Sequence, residues 1–236
     1  MIVSHEHRFI FVKTRKTAGT SVEVLLSALA GDDAIVTPLG PPEPGHEPRN
    51  WKGLFNPVPE VYDRYVRREP SLDDWSIRAT FSELRLRRAH WNHHRASVIR
   101  ARMGRRVWDD YFTFCFERNP WDKVVSWYYH LTRDNPARPA FEKWSSVAGL
   151  PTDWCRYTIG GGIAVDFVGR FECLNEDLTH ALREVGITDI PQLPRAKSQS
   201  RPSAPSAHIS EELDRRIRDE FAHEIRHFGY VAPELH

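Results

Sequence analysis

The stretch from Phe9 to Leu26, with Arg8 as its lead-in, constrains this chain more than any other. Phe9-Ile10-Phe11-Val12 is a short run of aromatic and β-branched residues, the pattern of a buried strand. A loop of Lys, Arg and Thr with one Gly follows at once. Thr20 and Ser21 then precede Val22, Val24, Leu25 and Leu26, with Glu23 in the first turn, which predicts a helix opening directly out of the loop and ending near Ala30-Gly31. Strand, loop and helix in that order aim backbone N–H groups and the positive end of a helix dipole at one point, where an anion is stabilised. Lys13, Arg15 and Lys16 add full charges, and Thr17, Thr20 and Ser21 add hydroxyls that orient oxygen atoms. Residues 13–21, with Ala18 and Gly19 at the turn, therefore read as a phosphate-binding loop, although the same composition also suits a plain solvated connection. The segment departs from the Walker A pattern, because Lys16 precedes Gly19 instead of standing just before a hydroxyl at the helix start. That argues against an ordinary ATPase or GTPase and leaves nucleotide binding open.

At 236 residues the chain suits one α/β domain with room for an insertion. A net charge of +1 argues against a strongly basic nucleic-acid binder, so an anion site must be a local concentration of charge. Cys115, Cys155 and Cys173 lie in or beside apolar runs without CxxC spacing, and no HExxH is present. They are expected to be reduced core residues, with no metal bound. No apolar leader precedes Arg8, and no window approaches the ~18 apolar residues of a membrane span. A soluble, cytoplasmic protein is the expectation.

The segment from about 37 to 80 changes character. Its first part carries seven prolines between Pro38 and Pro59 and little periodic apolar pattern, yet it also holds Trp51, Phe55, Tyr62 and Tyr65. Disordered tracts are poor in aromatics, so an ordered lid over an acceptor pocket is expected. Arg85 to Arg106 is the most basic stretch. It reads mostly as a solvated face, with His90, His93 and His94 placed just before a short helix that Gly104 stops.

Tyr111 to Phe116 reads as a second strand. It runs into Glu117-Arg118-Asn119-Pro120, where Asn119 suits a helix cap and Pro120 the first turn, and Val124, Val125, Tyr128 and Leu131 then form a buried stripe. Arg118 stands at the strand's C-terminal end and Ser126 about two turns into the helix; ligands of open α/β sheets bind at that edge. A further strand is expected over 166–172, then a helix from about Asn175 to Val185, a mobile basic loop from Pro191 to Ala207, and a last helix opened by Ser210 and running to His227.

Two separated motifs agree with one family. Lys13 to Ser21 resembles the loop that holds the 5′-phosphosulfate in sulfotransferases using 3′-phosphoadenosine 5′-phosphosulfate (PAPS), and Arg118-Asn119-Pro120-Trp121-Asp122 through Ser126 and Tyr129 resembles their 3′-phosphate motif. Gly169 to Glu172 and Phe228 to Tyr230 are similar to the bacterial and carbohydrate branch. The resemblance implies a P-loop-like three-layer sandwich with a central, mainly parallel sheet, and one domain over 1–236 carrying the lid. It further implies sulfuryl transfer to a hydroxyl of a small molecule, glycan or lipid, with adenosine 3′,5′-bisphosphate as product and no metal. It assigns Lys16 to the leaving oxygens, Arg15, Thr17, Gly19, Thr20 and Ser21 to the 5′-phosphate, and Arg118 and Ser126 to the 3′-phosphate. His93 occupies the place of the general base, with His90 next and His94 third; a carboxylate from the lid is the other option. Beyond Leu193-Pro194 the Asn of relatives is absent, and Lys197, Ser198 and Arg201 stand in for it. The competing readings are an atypical P-loop kinase and a non-catalytic nucleotide- or partner-binding protein. A kinase needs an acidic metal ligand at a strand's C-terminal end, and Asp166 begins its strand instead.

Overall fold

The computed structural model describes residues 1–67, 74–194 and 209–232, so most of the expected basic loop, with Lys197, Ser198 and Arg201, lies outside the described residues. The chain opens with β1 (Ile2–Ser4), β2 (Phe9–Phe11), α1 (Gly19–Leu29) and β3 (Ile35–Val36). After an irregular stretch come α2 (Val58–Arg67) and α3 (Asp74–Arg85), then α4 (Ala96–Met103), α5 (Arg105–Asp110), β4 (Phe112–Glu117) and α6 (Pro120–Leu131). α7 (Phe141–Ser145), α8 (Trp154–Tyr157) and a small hairpin of β5 (Thr158–Ile159) and β6 (Gly162–Ile163) lead to β7 (Phe167–Arg170). A 3₁₀ turn at Phe171–Cys173 runs into α9 (Leu174–Glu184), and α10 (Glu211–Glu220) and α11 (Ala222–Phe228) close the order.

The main sheet has the order β3-β1-β2-β4-β7. It is mixed, not mainly parallel: β2, β4 and β7 run parallel, while β1 is antiparallel to both of its neighbours. Neither β1 nor β3 shows in the sequence, because their apolar runs, Met1–Val3 and Ala34–Val36, are shorter than the four residues of Phe9–Val12. The helices lie on both faces, and the pleat decides which residues meet them. Phe9, Phe11, Phe114 and Phe116 pack with Val22, Leu25 and Leu26 of α1 and Leu178 and Leu182 of α9. Ile10, Val12 and Cys115 point the other way, toward Ile99 of α4, Trp121 and Val124 of α6, and Ile217 of α10. Adjacent phenylalanines stand 5.4–6.3 Å apart between ring centres, tilted, an arrangement worth roughly 0.5–1.5 kcal/mol per pair beyond burial.

Because β2, β4 and β7 are parallel, the turns after their C-terminal ends emerge at one edge: residues 12–18, 118–119 and 171–173. Asp166 sits at the opposite edge, where its carboxylate accepts from the N–H and hydroxyl of Thr113, both at 2.8 Å. Local chemistry explains the helix starts. The Asn119 side chain accepts from Trp121 N at 3.2 Å with Pro120 in the first turn, and Ser210 accepts from Leu213 N at 3.3 Å.

Other expectations are corrected. Cys115 is buried, but Cys155 and Cys173 are exposed free thiols and not core residues. Leu131 leaves the buried stripe of α6 and is 51 % exposed. The last helix is two, broken at Phe221, whose ring is fully buried and whose backbone (φ −106°, ψ 23°) is not helical. The basic stretch is not wholly solvated: Arg102 is buried, bonding Glu60 of α2, Glu83 of α3 and the carbonyls of Arg88 and Ala89, with Phe55 beneath its guanidinium at 3.8 Å. That cluster fastens the insertion to α4.

Candidate active site

The strand-edge turns enclose a cavity of about 990 Å³. It is lined by Lys13, Arg15, Lys16, Ala18, Gly19, Thr20 and Ser21 from the first loop, by Arg118 and Ser126, and by His93. Thr17 is not among the lining residues: its buried hydroxyl lies 2.9 Å from that of Thr14, which in turn bonds Phe116 O. These two threonines stitch the loop to β4.

The loop's backbone is bent toward the cavity. Lys16 (φ 61°) and Ala18 (φ 57°) occupy the left-handed region, at roughly 1–2 kcal/mol per non-glycine residue. Alternating such residues turns successive N–H groups into an anion-binding concavity. Ala18 stands at the N-cap of α1 and offers no side-chain cap; the N–H groups of a first helical turn have no intrahelical acceptor, and Gly19, Thr20 and Ser21 all line the cavity. Gly19 sits close to the Lys13 side chain: a Cβ there would stand 3.0 Å from Lys13 Cγ and would press that side chain aside.

The charges of the loop are disposed unequally. Lys13 is buried and its ammonium pairs with Glu23 inside α1, where cations keep the Glu23 carboxyl below its usual range against the opposing push of burial. Arg15 faces Asp153: its backbone N–H and its Nε donate to that carboxylate at 2.6 and 2.9 Å, and its Nη2 reaches Thr152 O at 2.5 Å. Across the cavity, Arg118 Nη1 donates to Lys16 O at 3.2 Å, and the guanidinium lies 3.9 Å from the Phe171 ring and 3.8 Å from Asp122. Trp127 and His130 stack at 5.5 Å along the same wall.

His93 also carries a left-handed backbone, φ 58°. Its Nδ1 must be the donor to Lys13 O, 3.1 Å away, which leaves Nε2 as the ring's acceptor. Burial, then Lys13 and Arg156, push its pKa down to about 3, so the ring is neutral at pH 7. His90 is buried and outside the cavity lining; its pKa is likewise lowered to about 3, chiefly by burial. His94 lies 3.2 Å from Glu83. Among the described residues no group of three or more His, Cys, Asp or Glu is placed to hold a metal ion, and no helix is long and apolar enough to cross a membrane.

Sequence reasoning missed the acids beneath the site. Glu23, Glu117 and Asp153 are all fully buried, and each bonds a cation of the loop or of α6. No spacing marks them; only their position in the fold does.

The sequence pattern described as "Sulfotransferase family" matches residues 1–231 of this chain. A protein from Archaeoglobus fulgidus, titled only as uncharacterized, is 34 % identical over 100 residues, which are 40 % of this chain and 83 % of that protein. No solved structure matches.

Proposed function

The chain belongs to the sulfotransferase family, and from that premise we propose that it transfers the sulfuryl group of PAPS to a hydroxyl of a small molecule, glycan or lipid. The observation that carries the proposal is the convergence of residues 13–16 and 18–21, Arg118, Ser126 and His93 on one cavity, with Arg118 hydrogen-bonded to the backbone of Lys16. About 990 Å³ is room enough for a nucleotide, and its donor set of N–H groups, guanidinium and ammonium suits two phosphates at separate ends. Bound PAPS would supply an activated sulfuryl group and a stable bisphosphate leaving group.

Lys16 and the first turn of α1 face the 5′ end, where negative charge grows as the S–O bond breaks, so their contribution belongs to the transition state. Arg118 and Ser126 hold the 3′-phosphate. His93 takes the acceptor's proton at Nε2, its Nδ1 being engaged by Lys13 O. An anion beside that ring opposes the effect of Lys13 and Arg156 and strengthens the base when the site is filled. Leu39 and Gly40 of the insertion line the cavity, and the insertion's role is that of a lid on the acceptor side. The reading is tested by thermal-shift titration with adenosine 3′,5′-bisphosphate against ADP, followed by labelled-sulfate transfer to a panel of hydroxyl acceptors. A shift selective for the bisphosphate is expected; equal shifts from both nucleotides would overturn the donor assignment.

A further inference from the structure

Beneath the cavity lies an ion cluster whose acids are absent from the lining and reach it only through the cations they hold. Asp153, fully buried just before α8, accepts from Arg15 N at 2.6 Å, from Arg15 Nε at 2.9 Å and from Arg156 Nε at 2.6 Å, and its Oδ2 is 3.0 Å from Lys123 Nζ of α6. Arg156 Nη1 donates onward to the carbonyl of His93. On the other side, the Lys123 ammonium bonds Glu117, whose Oε1 accepts from Arg118 N at 2.9 Å. Three segments from different parts of the chain, the donor loop, the His93 turn and the start of the Arg118 motif, are thus fastened to two carboxylates and the one ammonium between them.

We infer that Asp153 and Arg156 are positioning residues that join the geometry of the donor loop to that of the general base, Asp153 setting Arg15 and Arg156 setting His93. The geometry favours this over a merely cohesive role. Arg15 is the residue before Lys16, whose left-handed backbone begins the concavity, and it is fixed at its N–H and at both ends of its guanidinium. His93 is itself left-handed, a conformation that a non-glycine residue keeps only where neighbours over-determine it. Among the described residues it is fastened by Arg156 on its carbonyl and by Lys13 O on its ring, and Lys13 belongs to the same loop. A shift of Arg156 therefore moves the base relative to the loop and leaves Arg118 and α1 where they are. The Asp153 carboxylate stays ionised and able to hold both guanidinium groups. Burial alone would raise its pKa, but Lys123, Arg156 and Arg15 together keep it below the usual carboxylate range.

The catalytic consequence rests on the sulfotransferase reading, and the test separates the two. In Arg156→Gln, affinity for adenosine 3′,5′-bisphosphate by calorimetry is expected to stay within about threefold of the parent while kcat falls about 10- to 100-fold, the cost of a base misplaced by about an ångström. Arg156→Lys, which keeps the charge, should recover part of that loss. Asp153→Asn replaces one of the two carboxylate oxygens that Arg15 bonds with an NH₂ donor, removes the charge facing both guanidinium groups, and should weaken bisphosphate binding at least about tenfold. A second readout needs no turnover: the His93 ring signal in ¹³C-histidine-labelled protein, assigned with His93→Gln. The charged groups facing that ring are Lys13, Arg156 and the Met1 amino group, which lower its pKa, and Asp153, which raises it. Loss of Arg156 should therefore move the signal and raise its titration midpoint. If Asp153→Asn does not fold, the Arg156 variants and the ring signal still decide. An unmoved His93 signal, or affinity and kcat falling together in Arg156→Gln, overturns the inference. A moved signal in a protein whose parent form shows no bisphosphate selectivity removes the functional reading and leaves the coupling standing.

Discussion

Arg118 and Lys16 stand 102 positions apart, and the guanidinium of one donates to the backbone carbonyl of the other at 3.2 Å. The parallel pairing of β2 with β4 makes the meeting possible, because it carries both turns to the same edge of the sheet. Arg118→Ala should thus do two things at once, removing a cation from the 3′-phosphate side and loosening the carbonyl that helps hold Lys16 in its left-handed conformation. Affinity for adenosine 3′,5′-bisphosphate is expected to fall about 10- to 100-fold, as for loss of a charge-assisted contact of about 1.5–3 kcal/mol. Affinity for ADP, which lacks the 3′-phosphate, should change severalfold at most. Calorimetry with the two nucleotides checks the difference.

Lys16→Ala should leave the product nucleotide bound within about tenfold and lower kcat by about 10²- to 10³-fold, the usual cost of removing one donor aimed at developing charge. Single-turnover sulfate transfer at saturating donor reads the chemical step. A variant impaired only in donor affinity would assign Lys16 to ground-state binding.

The neutral histidines predict how stability responds to acid. His90 and His93 have folded pKa values near 3, against about 6.5 unfolded. Between those values the unfolded chain binds protons that the folded one does not, so stability is fully present above pH 6.5 and is lost as the pH falls. Each group contributes a slope of up to about 1.4 kcal/mol per pH unit. Glu83, held down to about 2 by His94 and Arg102 against the push of its own burial, acts in the same direction at lower pH. The Tm should therefore decline from about pH 6.5 downward in a differential scanning series, and His90→Gln should make the decline shallower. A Tm flat from pH 7 to 5 would contradict the assignment.

Gly169 of β7 lies against Phe116 so closely that a Cβ would come within 2.5 Å of the ring and 3.0 Å of Asp177 Cβ. Gly169→Ala must displace the ring in a packed face, at about 1–3 kcal/mol. Phe116 is two residues before Arg118, so bisphosphate binding should weaken along with the midpoint of urea unfolding. Unchanged stability would show that the ring has somewhere to go.

Arg102→Ala should strip the insertion from α4. Its side chain is 1 % exposed and pairs with both Glu60 and Glu83, and removing one partner of a buried ion cluster costs about 3–5 kcal/mol. Faster limited proteolysis between residues 50 and 90, with the rest of the chain intact, is the expected outcome.

What could be read from residue order was what local chemistry decides. The apolar run before the Lys/Thr loop and the Asn119-Pro120 signal placed β2, α1, β4 and α6 within a residue or two. Strands such as β1 and β3 carry no clear pattern of their own and exist through pairing, β1 with β2 and β3 with β1, and it was β1 that made the sheet mixed. The loop's composition gave its cations but not their partners. Glu23 and Asp153 lie 10 and 138 positions from the lysine and arginine that they neutralise, distances no spacing rule spans. Thr17 looked outward in the sequence and faces inward in the fold, because Thr14 and the end of β4 claim its hydroxyl.

The private pairing of Lys13 with Glu23 and of Arg15 with Asp153 bears on how the site responds to electrolyte. Two of the three cations between residues 13 and 16 spend their field on acids that solvent does not reach, so the loop presents less net charge to an anion in the cavity than its composition suggests, and oriented peptide dipoles carry a larger share. Dipoles at contact range are screened little by mobile ions, whose shielding acts over a Debye length of about 10 Å at 0.1 M. An anion held this way should lose less affinity between dilute buffer and concentrated salt than a tally of loop lysines and arginines would suggest.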